Sequence, residues 1–255
     1  MNRRREEILR EMGLTPIWKN RTDGIGTSGT GGAEAAPTAP GEFVDEEGPS
    51  AQTPSVAREA RIAKMDWPAL KAAVPACTAC ALHKSRTQTV VGVGDENADW
   101  LLVGEAPGAE EDQRGEPFVG QAGRLLDAML EAINLARGTN VYIANVLKCR
   151  PPGNRNPEPG EVGQCAPHLQ RQVALIKPRL IVAMGRFAVQ TLLATDASIA
   201  SLRGRLHVYH GVPLIVTYHP AYLLRTPADK SKAWQDLLFA AGTMKGLQRD
   251  GAVPT

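Results

Sequence analysis

The stretch from Leu101 to Ala144 reads LLVGEAPGAEEDQRGEPFVGQAGRLLDAMLEAINLARGTNVYIA. Its two ends, Leu101-Leu102-Val103 and Val141-Tyr142-Ile143-Ala144, are short apolar runs of the kind that form strands covered on both faces. Between them Ala122, Leu125, Leu126, Met129, Leu130 and Ile133 recur at helical spacing as one stripe. Strand, helix and strand in that order make a parallel crossover unit. The pattern continues with strand-like runs Leu180-Ile181-Val182-Ala183-Met184 and Leu214-Ile215-Val216, and with helical segments over 159–176, 186–194 and 229–245. The alternation predicts an α/β fold, a three-layer α/β/α sandwich around a mostly parallel central sheet.

Open parallel sheets bind ligands beyond the carboxyl ends of their strands. Here those ends are polar: Gly104-Glu105-Ala106-Pro107-Gly108-Ala109-Glu110-Glu111-Asp112 after the first run, Asn145 after the second, and Tyr218-His219-Pro220-Ala221-Tyr222-Leu223-Leu224-Arg225 after the last. Taken singly, each polar residue has an ordinary reading: Glu105 and Glu111 as solvated charges, Asn145 as a turn residue, His219 as a surface histidine. Their common position on one rim favours a site. Phe118, set between turn residues in Gly115-Glu116-Pro117-Phe118-Val119-Gly120, is either a core anchor or a stacking platform for a planar ligand.

The chain has 255 residues and four cysteines, Cys77, Cys80, Cys149 and Cys165. Its start, Met1-Asn2-Arg3-Arg4-Arg5-Glu6-Glu7, alternates charge and leads into no apolar stretch, which predicts a cytoplasmic protein without a secretory signal or membrane span. Thiols stay reduced there, so a short Cys-x2-Cys pair with two distant cysteines points to metal ligation over disulfides; zinc and iron-sulfur centres both accept four thiolates. A net charge of +2 means that any DNA-binding surface must come from local clustering of Lys and Arg. Candidates are Lys148, Arg150, Arg155, Arg203, Arg205, Lys230 and Lys232.

Four regions follow from composition. Residues 1–18 carry Ile8, Leu9 and Met12 at helical spacing and predict a short helix, a candidate partner-docking peptide. Residues 19–60 are mostly Gly, Ala, Pro, Ser and Thr and predict a disordered linker. The folded domain is expected over 66–248, opened by Asp66 as N-cap, and 249–255 as a flexible tail.

Several motifs together resemble the family 4, iron-sulfur, uracil-DNA glycosylases: Gly104-Glu105-Ala106-Pro107-Gly108 with trailing acids, Pro117-Phe118-Val119-Gly120-Gln121-Ala122-Gly123, Asn145-Val146-Leu147-Lys148-Cys149-Arg150-Pro151-Pro152, and His219-Pro220-Ala221-Tyr222-Leu223-Leu224-Arg225. The resemblance covers about residues 70 to 245, includes all four cysteines and leaves out the first helix and linker. It implies a monomeric enzyme that flips uracil out of single- or double-stranded DNA and hydrolyses its N-glycosidic bond.

By that resemblance Phe118 stacks on the base, the Asn145 amide pairs with uracil N3–H and O4, and His219 donates to O2 as charge builds on the leaving base. Glu111 orients the attacking water, Glu105 lines the pocket, and backbone groups around Glu105 and Ala106 contact the base. Tyr222, Leu223, Leu224 and Arg225 form a wedge that fills the gap left by the flipped nucleotide. The four cysteines hold a 4Fe-4S cluster of structural role. One subclass of the superfamily is trapped on uracil through a histidine in the loop after the second strand; Arg150–Pro157 contains none, which predicts turnover. Two other classes fit parts of the sequence: a non-catalytic four-cysteine zinc module that binds DNA, and a recruiter of a repair or replication protein acting through residues 1–18.

Overall fold

The computed structural model describes residues 54–249. The helix expected within residues 1–18, most of the linker and the tail beyond residue 249 lie outside the described residues. The linker was expected to reach residue 60, but the chain is already helical over Pro54–Ile62 (α1). Tertiary contacts account for the difference: Ile62 is buried with Leu70 and Val74, and Arg58 reaches the Gln164 carbonyl.

Six strands form one sheet: β1 (Val93–Gly94), β2 (Trp100–Gly104), β3 (Val141–Asn145), β4 (Leu180–Met184), β5 (His207–Tyr209) and β6 (Val212–Thr217), in the order β1-β3-β2-β4-β6-β5. The inner four, β3-β2-β4-β6, run parallel, while β1 and β5 lie antiparallel at the edges. The parallel core and the layers agree with the sequence expectation; the two edge strands are additions. Val93–Gly94 is too short to show a period, and Val208 of β5 is 62 % exposed, so neither edge carries an apolar run.

The helices divide between the two faces, because successive strand residues point to opposite sides. Leu101, Val103, Tyr142, Ala144, Ile181, Ala183, Leu214 and Val216 pack against α5 (Pro159–Ile176) and α6 (Arg186–Leu193) through Leu169, Val173, Val189 and Leu192. On the other face Trp100, Leu102, Val141, Ile143, Leu180, Val182 and Ile215 meet α4 (Gln121–Glu131) through Leu126 and Leu130, and α9 (Lys230–Arg249) through Ala240 and Met244. Each such Val, Leu or Ile contributes about 1.5 to 3 kcal/mol on full burial.

Four shorter helices complete the domain: α2 (Trp67–Ala73), α3 (Ala109–Arg114), α7 (Ile199–Leu202) and α8 (Pro220–Arg225). Asp66 caps α2 by accepting from Ala69 N at 2.9 Å, as its position predicts. The α4 stripe serves two partners: Leu126 and Leu130 face the sheet, while Leu125 and Met129 pack with Leu223 of α8.

Candidate active site and the four-cysteine lobe

Gly104 and Asn145 are register partners at the carboxyl ends of adjacent strands β2 and β3. The position demands glycine, since a Cβ on Gly104 would lie 2.5 Å from Asn145 Oδ1 and 2.6 Å from Phe118 Cζ. Asn145 is 2 % exposed and its Oδ1 has no hydrogen-bond partner among the described residues. A buried acceptor left unpaired costs about 1 to 3 kcal/mol. Such a group is worth that cost where a ligand supplies the missing donor.

Phe118 is buried and holds a left-handed backbone, φ 57°. Three contacts stabilise this conformation. Arg137 donates to the carbonyls of Pro117 and Phe118 at 2.9 Å each and is itself paired with Asp127. Gly123, in the first turn of α4, lies under the Phe118 carbonyl, where a Cβ would approach the oxygen to 1.7 Å. Glu111 fixes the next two residues, accepting from Val119 N at 3.0 Å and Gly120 N at 3.4 Å. Its other oxygen accepts from Gly108 N at 3.0 Å, satisfying the N-cap amide at the start of α3.

The Phe118 ring stacks on His219, with centroids 5.3 Å apart and planes at 26°. His219 is the N-cap of α8: its Nδ1 accepts from Ala221 N at 3.1 Å. That bond places the ring proton on Nε2, free to donate. Burial pushes the imidazole pKa down to about 4, with Arg225 adding to the shift and Glu111 opposing it. His219 is therefore a neutral donor near pH 7. Gly185, at φ 90° after β4, gives it room, since a Cβ there would come within 2.8 Å of His219 Cβ.

Glu105, directly after β2, has a pKa pushed up to about 6 by burial against the lowering influence of Arg186 at the start of α6. Ala106 is half-buried and packs on the group formed by Leu82, Leu147 and Cys149. It stands between the rim and the cysteine lobe.

The expected wedge divides in two. Leu223 is 1 % exposed and packs with Tyr218 and Ala233, and Tyr222 is stacked on Tyr218 at 5.2 Å with its hydroxyl on Asp229 Oδ2 at 2.6 Å. Neither is free to enter a base stack. Leu224, 40 % exposed, and Arg225 face solvent. The helical phase of α8 decides which residue faces out, and a run this short does not reveal it.

The candidate phosphate contacts also sort. Lys148 is buried; Arg155 pairs with Glu161, Arg203 with Asp236 and Lys232 with Asp229. Arg205, Arg225 and Lys230 are exposed, and Arg150 is half-buried with its Nε on Asn154 Oδ1.

Cys77 and Cys80 follow α2, Cys149 follows β3 and Cys165 lies in α5. All four are free thiols lining one small pocket with His83, Arg86, Gln164 and His168. Among the described residues no group of three His, Cys, Asp or Glu side chains is placed to hold a single metal ion. Three of the sulfurs accept hydrogen bonds, Cys77 from Arg58 Nη2 at 3.5 Å, Cys149 from Arg86 Nη1 at 3.2 Å and Cys165 from Lys148 N at 3.3 Å. Burial pushes the Cys165 thiol up to about 12, with Lys148 opposing, and raises Cys149 against the pull of Arg86. Such thiols become thiolates when a metal takes the place of the proton.

A mostly parallel sheet that gathers an unpaired amide, a buried aromatic ring and a neutral imidazole at its carboxyl rim defines an α/β domain with a ligand site beyond its strand ends. Residues 91–238 match the model of the uracil DNA glycosylase superfamily, and the chain belongs to that superfamily. Within it the chain belongs to the type-4 uracil-DNA glycosylases. It is 46 % identical over 162 residues to the type-4 uracil-DNA glycosylase of Archaeoglobus fulgidus, covering 60 % of this chain and 81 % of the relative. For the type-4 enzyme of Pyrobaculum aerophilum the identity is 41 % over 193 residues, 72 % of this chain and 97 % of the relative. For that of Thermotoga maritima it is 44 % over 159 residues, 62 % of this chain and 82 % of the relative.

Proposed function

We propose that the protein is a DNA-repair glycosylase that hydrolyses the N-glycosidic bond of deoxyuridine in single- or double-stranded DNA, releasing uracil and leaving an abasic site. The observation that carries this reading is the buried, unpartnered Asn145 Oδ1 beside the Phe118 ring. Uracil N3–H supplies the missing donor and uracil O4 accepts from Asn145 Nδ2. Cytosine presents an amino donor in place of O4 and an acceptor in place of N3–H, a mismatch worth about 1 to 3 kcal/mol per bidentate pair.

Phe118 stacks on the flipped base. His219 donates from Nε2 to O2 as the C1′–N1 bond lengthens and negative charge moves onto the base; a preorganised donor of this kind contributes about 3 to 4 kcal/mol. A water oxygen then forms the new bond to C1′. The hydrogen bonds favour exchanging the roles expected of the two carboxylates. Glu111 is occupied by three backbone amides and acts as the brace of the Phe118 loop. Glu105, with a pKa near neutrality, orients the water, accepts its proton and stabilises the oxocarbenium-like sugar. Leu224 fills the vacated place in the duplex and Arg225 meets a phosphate.

Cys77, Cys80, Cys149 and Cys165 suit a 4Fe-4S cluster: four thiols on one pocket, three of them with N–H donors on the sulfur, match a centre in which each iron takes one thiolate. When bound it supplies cross-linking of the segment after α2 to β3 and α5, away from the bond that breaks. Purified protein is expected to contain iron and acid-labile sulfide; colourless, zinc-bearing protein would refute the assignment. The enzyme works in the cytoplasm as a monomer. Residues 1–18 recruit a repair or replication protein, so deleting residues 1–53 is expected to abolish capture of that protein while sparing excision on short oligonucleotides.

The decisive assay is an oligonucleotide with one deoxyuridine, incubated with protein and treated with alkali. Cleavage at that position is expected, and an intact strand sinks the proposal. The same assay separates the glycosylase from a zinc DNA-binding module, which would bind without excision and be indifferent to Asn145→Ala.

A further inference from the structure

Lys148 is 1 % exposed, although a lysine is rarely so deep unless its charge is engaged. Its Nζ donates to the Asn145 carbonyl at 2.7 Å and to Gln172 Oε1 at 2.6 Å. Gln172, buried on α5, donates in turn from Nε2 to the Val91 carbonyl at 2.8 Å and to the Tyr142 hydroxyl at 3.4 Å.

The register of the edge strand explains why these bonds exist. Val93 lies opposite Ile143 and Gly94 opposite Tyr142, so a longer β1 would set Val91 opposite Asn145. The ladder stops before that pair. The Val91 carbonyl goes to Gln172 and the Asn145 carbonyl to Lys148, so two side chains stand where strand pairing ends. On its other side the end of β3 stays tied to β2, through Val146 N to Gly104 O at 3.0 Å and Leu147 N to Glu105 O at 3.0 Å. The main chain of Lys148 is fixed as well, its N–H on Cys165 Sγ and its carbonyl accepting from Val90 N at 2.8 Å.

We propose that Lys148 is a positioning residue for base recognition: through the Asn145 carbonyl it sets the end of β3, and with it the orientation of the Asn145 side-chain amide. The proposal rests on the reading of Asn145 as the uracil-pairing residue. It gives Lys148 a task at the site without contact to base, sugar or phosphate.

The test is a double-mutant cycle on single-turnover excision with Lys148→Met, Asn145→Ala and the double variant, each checked for retained visible absorbance and thermal melting. Met keeps the apolar stem and removes the donor. Lys148→Met alone is expected to slow excision about ten-fold or more, as loss of a donor to a buried carbonyl implies, and to weaken inhibition by free uracil while leaving affinity for abasic-site DNA intact. In the Asn145→Ala background it is expected to change the rate less than about two-fold. Equal slowing in both backgrounds would mean that Lys148 serves only the fold, and would overturn the proposal. If Asn145→Ala itself excises at the unaltered rate, the reading of Asn145 fails first and takes the proposal with it. Should Lys148→Met fail to fold, Gln172→Met, which removes the second partner of Nζ, is held to the same cycle: a smaller loss that vanishes without the Asn145 amide supports the role, and a loss that persists overturns it.

Discussion

Glu105 and Glu111 leave the same strand end, yet their surroundings give them different work. Burial holds the Glu105 carboxyl near 6, above its ordinary range, so between about 4.5 and 6 the folded state binds more protons there than the unfolded chain. Ionised Glu105 therefore costs stability above pH 6, the pH range in which the proposed role in orienting water requires the charge. Log kcat/KM is expected to fall as pH drops through about 6, and Glu105→Gln to remove that limb, lower the rate and raise the melting temperature at pH 8. A lower melting temperature together with an unchanged pH profile would contradict this. His219 adds no second limb in the same window, because its pKa lies near 4 and it is already neutral. Glu111→Gln should keep the acid limb and slow excision through the Phe118 loop, which its carboxylate holds at Val119 and Gly120.

Among the elements, α4 and α8 carry the site's precision. Gly123→Ala forces a methyl group against the Phe118 carbonyl and is expected to cost about 1 to 3 kcal/mol in denaturant unfolding, with slower excision as the ring moves. The two leucines of α8 should behave oppositely. Leu223→Ala removes a buried side chain and is expected to destabilise by about 2 to 5 kcal/mol. Leu224→Ala should leave melting unchanged and slow excision from duplex more than from single strands, since only a duplex has a gap to fill; equal slowing on both would argue against a wedge.

What the sequence revealed and what it hid divides along similar lines. Strands buried on both faces announce themselves as unbroken apolar runs, and β2, β3, β4 and β6 were legible for that reason. Asn145 and His219 could be put forward from sequence because a parallel sheet makes the carboxyl ends of its strands candidates for a site. Arg137, Gly123, Gly185 and Lys148 were not, because each acts on a main-chain or side-chain atom brought near only by folding. Leu223 and Leu224 look alike in one dimension, and helix phase alone separates them.

At the scale of the whole molecule, the rim and the cysteine lobe meet along the end of β3, where Asn145 and Cys149 are separated by a few buried residues. Cys165→Ser is accordingly expected to lower iron content and melting temperature together, and to reduce excision only in proportion to the fraction unfolded. A loss of rate in fully folded protein would instead show coupling through Lys148. The described residues include no helix long and apolar enough to cross a membrane.

The margins of the sheet have a consequence of their own. Strands at a sheet edge offer unpaired amides and carbonyls to any other extended chain, and proteins blunt them by shortening or bending them. β1 is two residues long, preceded by Gly92 and ending in Gly94, both at positive φ, and β5 is three residues long and turns back at His210 and Gly211. The sheet thus gives a neighbouring copy little to extend. Sedimentation at high concentration is expected to return the mass of one chain.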